Sequence, residues 1–68
     1  MKTMIDSTEP DFHKYEVFIH GVKQKNVIAA DSVAGEVWRY QVDDNGDPTD
    51  NTERATGDVT ILEATNGN

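Results

Sequence analysis

Cysteine is absent from these 68 residues, so neither a disulfide framework nor a thiolate metal site is open to the chain. Two of the usual staples of a small fold are thereby removed, and stability must come from a modest core or from association. Basic side chains are scarce: six Lys and Arg stand against thirteen Asp and Glu, a formal charge of −7. That sign repels a phosphate backbone, which speaks against direct nucleic-acid binding. Long hydrophobic runs are missing too. The opening stretch MKTMIDSTEPDFHK is interrupted by charges and a proline, which predicts neither a signal peptide nor a membrane span and leads to the expectation of a cytoplasmic protein. There is no glycine-rich phosphate loop, and no nucleophile signature surrounds Ser7 or Ser32. A chain this short has little room for a pocket that excludes water. The expectation is therefore a protein that is not an enzyme and takes no cofactor.

What is present favours strands, because β-branched and aromatic side chains fit a pleated, half-buried surface. Four segments stand out: Tyr15 to Ile19, Val22 to Ala30, Glu36 to Val42 and Asp58 to Glu63. His20-Gly21 between the first two predicts a tight hairpin turn, since Gly accepts positive φ and His tolerates it. Asp31 to Gly35 is too short for a helix and reads as a turn framed by an Asp start and a Gly stop. After Val42, Asn45-Gly46 and Asp47-Pro48 specify turns, and the loop is expected to run on to about Thr56-Gly57. Residues 1–12 carry no hydrophobic period and predict a flexible arm; residues 64–68 predict a flexible tail. Between them, 13–63 form one all-β domain, a small antiparallel meander or open barrel of about four strands. The last strand follows the long loop, and could pair with the third strand or with the first.

Period-two counting gathers Val17, Ile19, Val22, Ile28, Trp38, Tyr40, Val42, Val59 and Ile61 as a shared core face. A bulge near Asn26 would shift that phase. The opposite set mixes Glu16, Lys23, Lys25, Arg39 and Thr60 with Phe18, Val27, Val37 and Leu62. Either the arm or barrel curvature covers those four apolar side chains, or they form a candidate protein interface, since apolar residues rimmed by charge are what a docking surface looks like. Trp38 and Tyr40 flank Arg39, a mixture found at binding platforms, but on a central strand they are most simply core.

The acids concentrate in one span: Asp43, Asp44, Asp47, Asp50, Glu53 and Asp58 lie between residues 43 and 58, with only Arg54 among them. They define a candidate acidic surface. Calcium coordination does not fit that span, because placing Gly46 at the invariant glycine of an EF-hand loop puts Gln41 and Thr52 where Asp and Glu ligands belong. The two imidazoles, His13 and His20, would need borrowed carboxylates to hold zinc, so no metal site is expected.

The segments YEVFIHGVKQKNVIAAD, GEVWRYQVDDNGDP and GDVTI together resemble a family of small, acidic, uncharacterised proteins encoded by tailed bacteriophages. The likeness covers residues 15–62 and rests on the strand-turn-strand rhythm and the NGDP loop. It implies a phage origin and a small β fold, and it brings no active site with it. The resulting expectation is a non-enzymatic protein-binding or structural module that self-associates or docks onto a larger protein. The alternative is an acidic host-directed inhibitor whose carboxylates mimic nucleic-acid charge and block a basic site.

Overall fold

The computed structural model describes residues 2–64, and among them the fold is all-β apart from one 3₁₀ turn at Phe12–Lys14. Seven strands are present: β1 (Met4–Asp6), β2 (Tyr15–Ile19), β3 (Val22–Lys23), β4 (Val27–Asp31), β5 (Glu36–Val42), β6 (Pro48–Thr56) and β7 (Val59–Glu63). They form two antiparallel sheets, one ordered β1-β4-β5-β6 and one ordered β3-β2-β7. The sheets are not closed into a barrel.

The His20-Gly21 turn is present, with both residues at positive φ (50° and 79°) and Ile19 paired to Val22 across it. Two positive φ values match the right-handed strand twist, which is why Gly belongs at the second position. The expected single strand from Val22 to Ala30 is instead two. Its first two residues pair with β2 in the small sheet, and Val27–Asp31 cross to the large one. A register shift between Val27 and Ala29 supplies the bulge expected near Asn26. Asp31 to Gly35 is the expected turn: the Asp31 carboxylate accepts the Val33 and Ala34 N–H groups at 2.9 and 3.0 Å. The last strand pairs with β2, the first strand of the sequence reading, Tyr15 opposite Glu63 and Ile19 opposite Val59.

Three expectations are corrected. Residues 1–12 are not a free arm, because Met4–Asp6 pair with β4 and Ile5 is buried, 1% exposed, opposite Ala30. One apolar residue flanked by polar ones gives no period to read, yet it fills a core position. The loop after Val42 is short, and Pro48–Thr56 is a nine-residue strand along β5. Its Thr, Asp and Asn content reads as loop, but it lies at the edge of the sheet, where one polar side is no penalty. Third, the phase of β5 is inverted: Val37 is fully buried, whereas Tyr40 and Val42 are exposed. Of the expected tail, Ala64 donates its N–H to the Lys14 carbonyl, and 65–68 lie outside the described residues.

The core is Ile5, Val17, Ala30, Val37, Val59 and Ile61, with Phe12, Tyr15, Ile19 and Val27 packed against it. Ile5, Ala30 and Val37 are successive cross-strand partners, and Ala55 continues the row on β6. Because neighbours across strands share a face, this row is the inner surface of the large sheet. Val17 opposite Ile61 and Ile19 opposite Val59 form the inner surface of the small one. The inner row holds Ile5, Val37 and two alanines, and the small alanines flanking Val37 leave room for its side chain but not for an indole, so Trp38, next along the strand, turns outward.

Candidate protein-binding surface

Inversion of β5 decides what the molecule presents to solvent. On the outer face of the large sheet, one cross-strand row is Asp6, Ala29, Trp38 and Arg54, and the next pair along is Tyr40 with Thr52. Trp38 is half-buried and Tyr40 is 40% exposed, with Met4 exposed on the same face at the β1 end. Trp38 and Tyr40, expected in the core, thus sit beside each other on the outer face of the large sheet. Acids border the patch: Asp6, Asp31 and Glu36 occupy the same side, and Glu36 accepts from Arg54 at 2.7 Å.

The four apolar residues expected to share an interface divide between surface and interior. Phe18 and Leu62 lie on the outer face of the small sheet around Thr60, Phe18 half-buried and Leu62 exposed, next to the Lys23–Glu16 ion pair at 3.2 Å. Val37 and Val27 lie on the inner side of the large sheet, Val37 in the core and Val27 packed against it. A single surface carrying all four does not exist. The sequence count grouped them because β5 is apolar on both faces, and the alanines of its neighbours, Ala30 and Ala55, are the signal that would have set the phase.

The six acids are strung along one hairpin. Asp43, Asp44 and Asp47 are at its tip, Asp50 and Glu53 are on β6, and Asp58 follows its far end. Pro48 and Thr56 lie opposite Val42 and Glu36, six steps apart on β5, so tip and base are separated by roughly 20 Å at the usual rise. The Asp43 carboxylate is occupied in organising the tip, accepting the Asn45 and Asp47 N–H groups at 2.9 and 3.0 Å. Glu53 accepts from Arg39 at 2.7 Å, and the same guanidinium reaches the Gln24 side-chain oxygen. This clasp bridges the large sheet to the segment after β3, at the open end of the core. Among the described residues no three His, Asp or Glu side chains are grouped to hold a metal ion.

Two groups depart from their ordinary acid strengths, both near the N-terminal strand. Lys2 is held protonated to higher pH by its hydrogen bond and ion pair with Glu9 at 3.1 Å. Asp6 is held ionised to lower pH by the Thr8 hydroxyl and backbone N–H that donate to it. Both pairs lie at the molecular surface, flanking β1. At one end of the molecule, backbone comes close to backbone: a Cβ on Gly35 would stand 2.6 Å from the Gly57 carbonyl oxygen, and Gly57 donates to the Gly35 carbonyl at 3.1 Å. His20 lies against Gly57 and donates its N–H to the Asp58 carbonyl at 2.9 Å, so three turns are braced together there. His13 sits in the exposed 3₁₀ turn.

The described hollows are grooves. One of about 520 Å³ is lined by Lys25, Asn26, Tyr40, Gln41, Val42 and the Arg39–Glu53 pair. No helix among the described residues is long and apolar enough to cross a membrane. Comparison of the chain with protein-family models, with curated proteins and with solved structures gave no match.

Proposed function

We propose that this chain is a non-catalytic β module, of the phage-encoded kind its sequence resembles, that docks onto a larger protein through the outer face of its four-stranded sheet. The observation that carries this reading is the pairing of half-buried Trp38 with exposed Tyr40, beside Ala29 and exposed Met4, on the outer face of the large sheet. Aromatic residues with an adjacent arginine, here Arg54, are the side chains most enriched where binding energy concentrates. The acids around the patch and the net charge of −7 favour a partner whose apolar site is ringed by Lys and Arg. The reading of a nucleic-acid mimic draws less support, since the six acids extend along a hairpin and two of them are already engaged.

Trp38 is the single tryptophan, so its fluorescence reports on this face alone. Host lysate passed over immobilised wild type, Trp38→Ser and Phe18→Ser separates the surfaces. Capture that survives Phe18→Ser, disappears with Trp38→Ser, and is accompanied by a blue shift of tryptophan emission on adding the captured protein is the expected result. Capture lost only with Phe18→Ser would move the docking site to the small sheet and sink this assignment.

A further inference from the structure

The small sheet ends in an unguarded edge. β7 pairs with β2 in one unbroken register, and no strand of the described chain pairs with its other side. The His20 N–H donates to the Asp58 carbonyl at 2.9 Å and the Ala64 N–H to the Lys14 carbonyl, so even-numbered residues at both ends of this ladder bond across it. Antiparallel pairs alternate, and Thr60 and Leu62 therefore bond to β2 as well. Val59, Ile61 and Glu63 are left pointing their N–H and C=O groups away from β2. The bond from the Gln24 N–H to the Val17 carbonyl at 2.8 Å, which turns the odd-numbered residues of β2 toward β3, agrees with this phase. Edge strands are ordinarily blunted by a proline, a bulge or a lysine. β7 has none of these, and its one charge is Glu63 at the end. Two grooves, of about 520 and 240 Å³, share Lys2, Ile61 and Leu62, and between them they are lined by every residue from Val59 to Glu63. Successive strand residues alternate between faces, so hollows lined without a break run along the edge and not over one face.

We infer that β7 accepts an extended segment of a partner protein as an added antiparallel strand, with a β-branched apolar side chain opposite Ile61 and a Lys or Arg opposite Glu63. The six free main-chain groups supply the ladder. A side chain opposite Ile61 points to the same face as Ile61, which is the inner face of the sheet, where Val17 and Val59 are buried and only an apolar group is at home. Two residues along, Glu63 is exposed. Glu9, Glu16, Glu36 and Glu53 each hold a cation, whereas Glu63 forms no ion pair among the described residues. A basic side chain there complements both that carboxylate and the net charge of −7. A second copy of the chain is the poorer occupant: β7 against β7 about Ile61 sets Glu63 opposite Val59 and brings together two chains of the same sign.

This edge is separate from the Trp38 face, and either site can fail alone. The probe is the end-capped peptide Lys-Thr-Val-Thr-Val, whose antiparallel pairing puts Lys opposite Glu63 and the two Val opposite Ile61 and Val59. Amide NMR of the full chain reads the outcome. In the free protein the Val59, Ile61 and Glu63 amides are expected to exchange with solvent faster than those of Thr60 and Leu62, and the peptide shifts them saturably and slows their exchange. Methylating the nitrogen of the central Val weakens binding about tenfold or more, because that N–H faces β7, while methylating a Thr nitrogen, which faces away, changes it by less than about twofold. Glu63→Lys weakens this peptide and strengthens Glu-Thr-Val-Thr-Val by about two- to fivefold. Trp38→Ser binds the peptide as wild type does. Absence of a saturable shift, equal binding of the two methylated peptides, or affinities indifferent to Glu63→Lys overturns the inference. So does a free protein that sediments as a dimer with the three amides protected, which would give the edge to a second copy.

Discussion

Asp6 shows how much a single exposed turn residue organises. Its carboxylate takes both the hydroxyl and the N–H of Thr8, and its own carbonyl takes the Glu9 N–H at 3.1 Å, so the chain turns away immediately after β1. Hydrogen bonds to the ionised form lower its pKa below the ordinary 3.8. For a carboxyl lowered on folding, the stabilisation is complete above the unfolded value and is lost as pH falls through the folded one. The relevant window is therefore acidic, below the usual aspartate range. Thr8→Val removes the hydroxyl donor and keeps the N–H. The Asp6 titration, followed by carboxyl carbon NMR, is expected to move upward in this variant and to stop short of the free value. A titration curve that does not move would show that the hydroxyl bond is absent in solution.

Among the elements, β1 and β6 teach the most because both were hidden. β1 contributes one core side chain, Ile5, opposite Ala30. Ile5→Ala is expected to cost about 2–5 kcal/mol by lost transfer energy and the cavity left behind. Small domains hold roughly 0.1 kcal/mol per residue, so this is a large share of the total. Urea unfolding checks it; a midpoint unchanged from wild type would return residues 1–12 to the status of a free arm. The strands that were legible, β2, β5 and β7, are those whose residues are β-branched or aromatic at most positions, and the His20-Gly21 turn was legible because its geometry demands those residues. β6 was not legible, since its partner supplies the order: Glu53 is set by Arg39 and Ala55 by Val37. The candidate site suffered the same ambiguity. With apolar residues on both sides of β5, period two gives two phases, and only the small residues of the flanking strands choose between them. Hence period two places Trp38 on the core face and Val37 on the opposite one, either covered or an interface, whereas Val37 is the residue buried in the core and Trp38 faces outward.

For the whole molecule, the pairing of β2 with β7 is the feature with the widest reach. It joins Tyr15 to Glu63 and so closes the longest loop in the chain, while β4, β5 and β6 are connected by short turns. The cost of closing a loop rises with its length and must be met before the contacts it permits are formed. The order of folding is thereby set: the meander through β5 assembles in the transition state, and β7 joins late. In stopped-flow measurements Val37→Ala is expected to slow folding, and Ile61→Ala to leave the folding rate almost unchanged while accelerating unfolding. Equal slowing of folding by both would place β7 in the nucleus. A strand that arrives last also leaves first, so the lifetime of the native state is governed by residues 59–63, far along the chain from the aromatic face they help to hold in place.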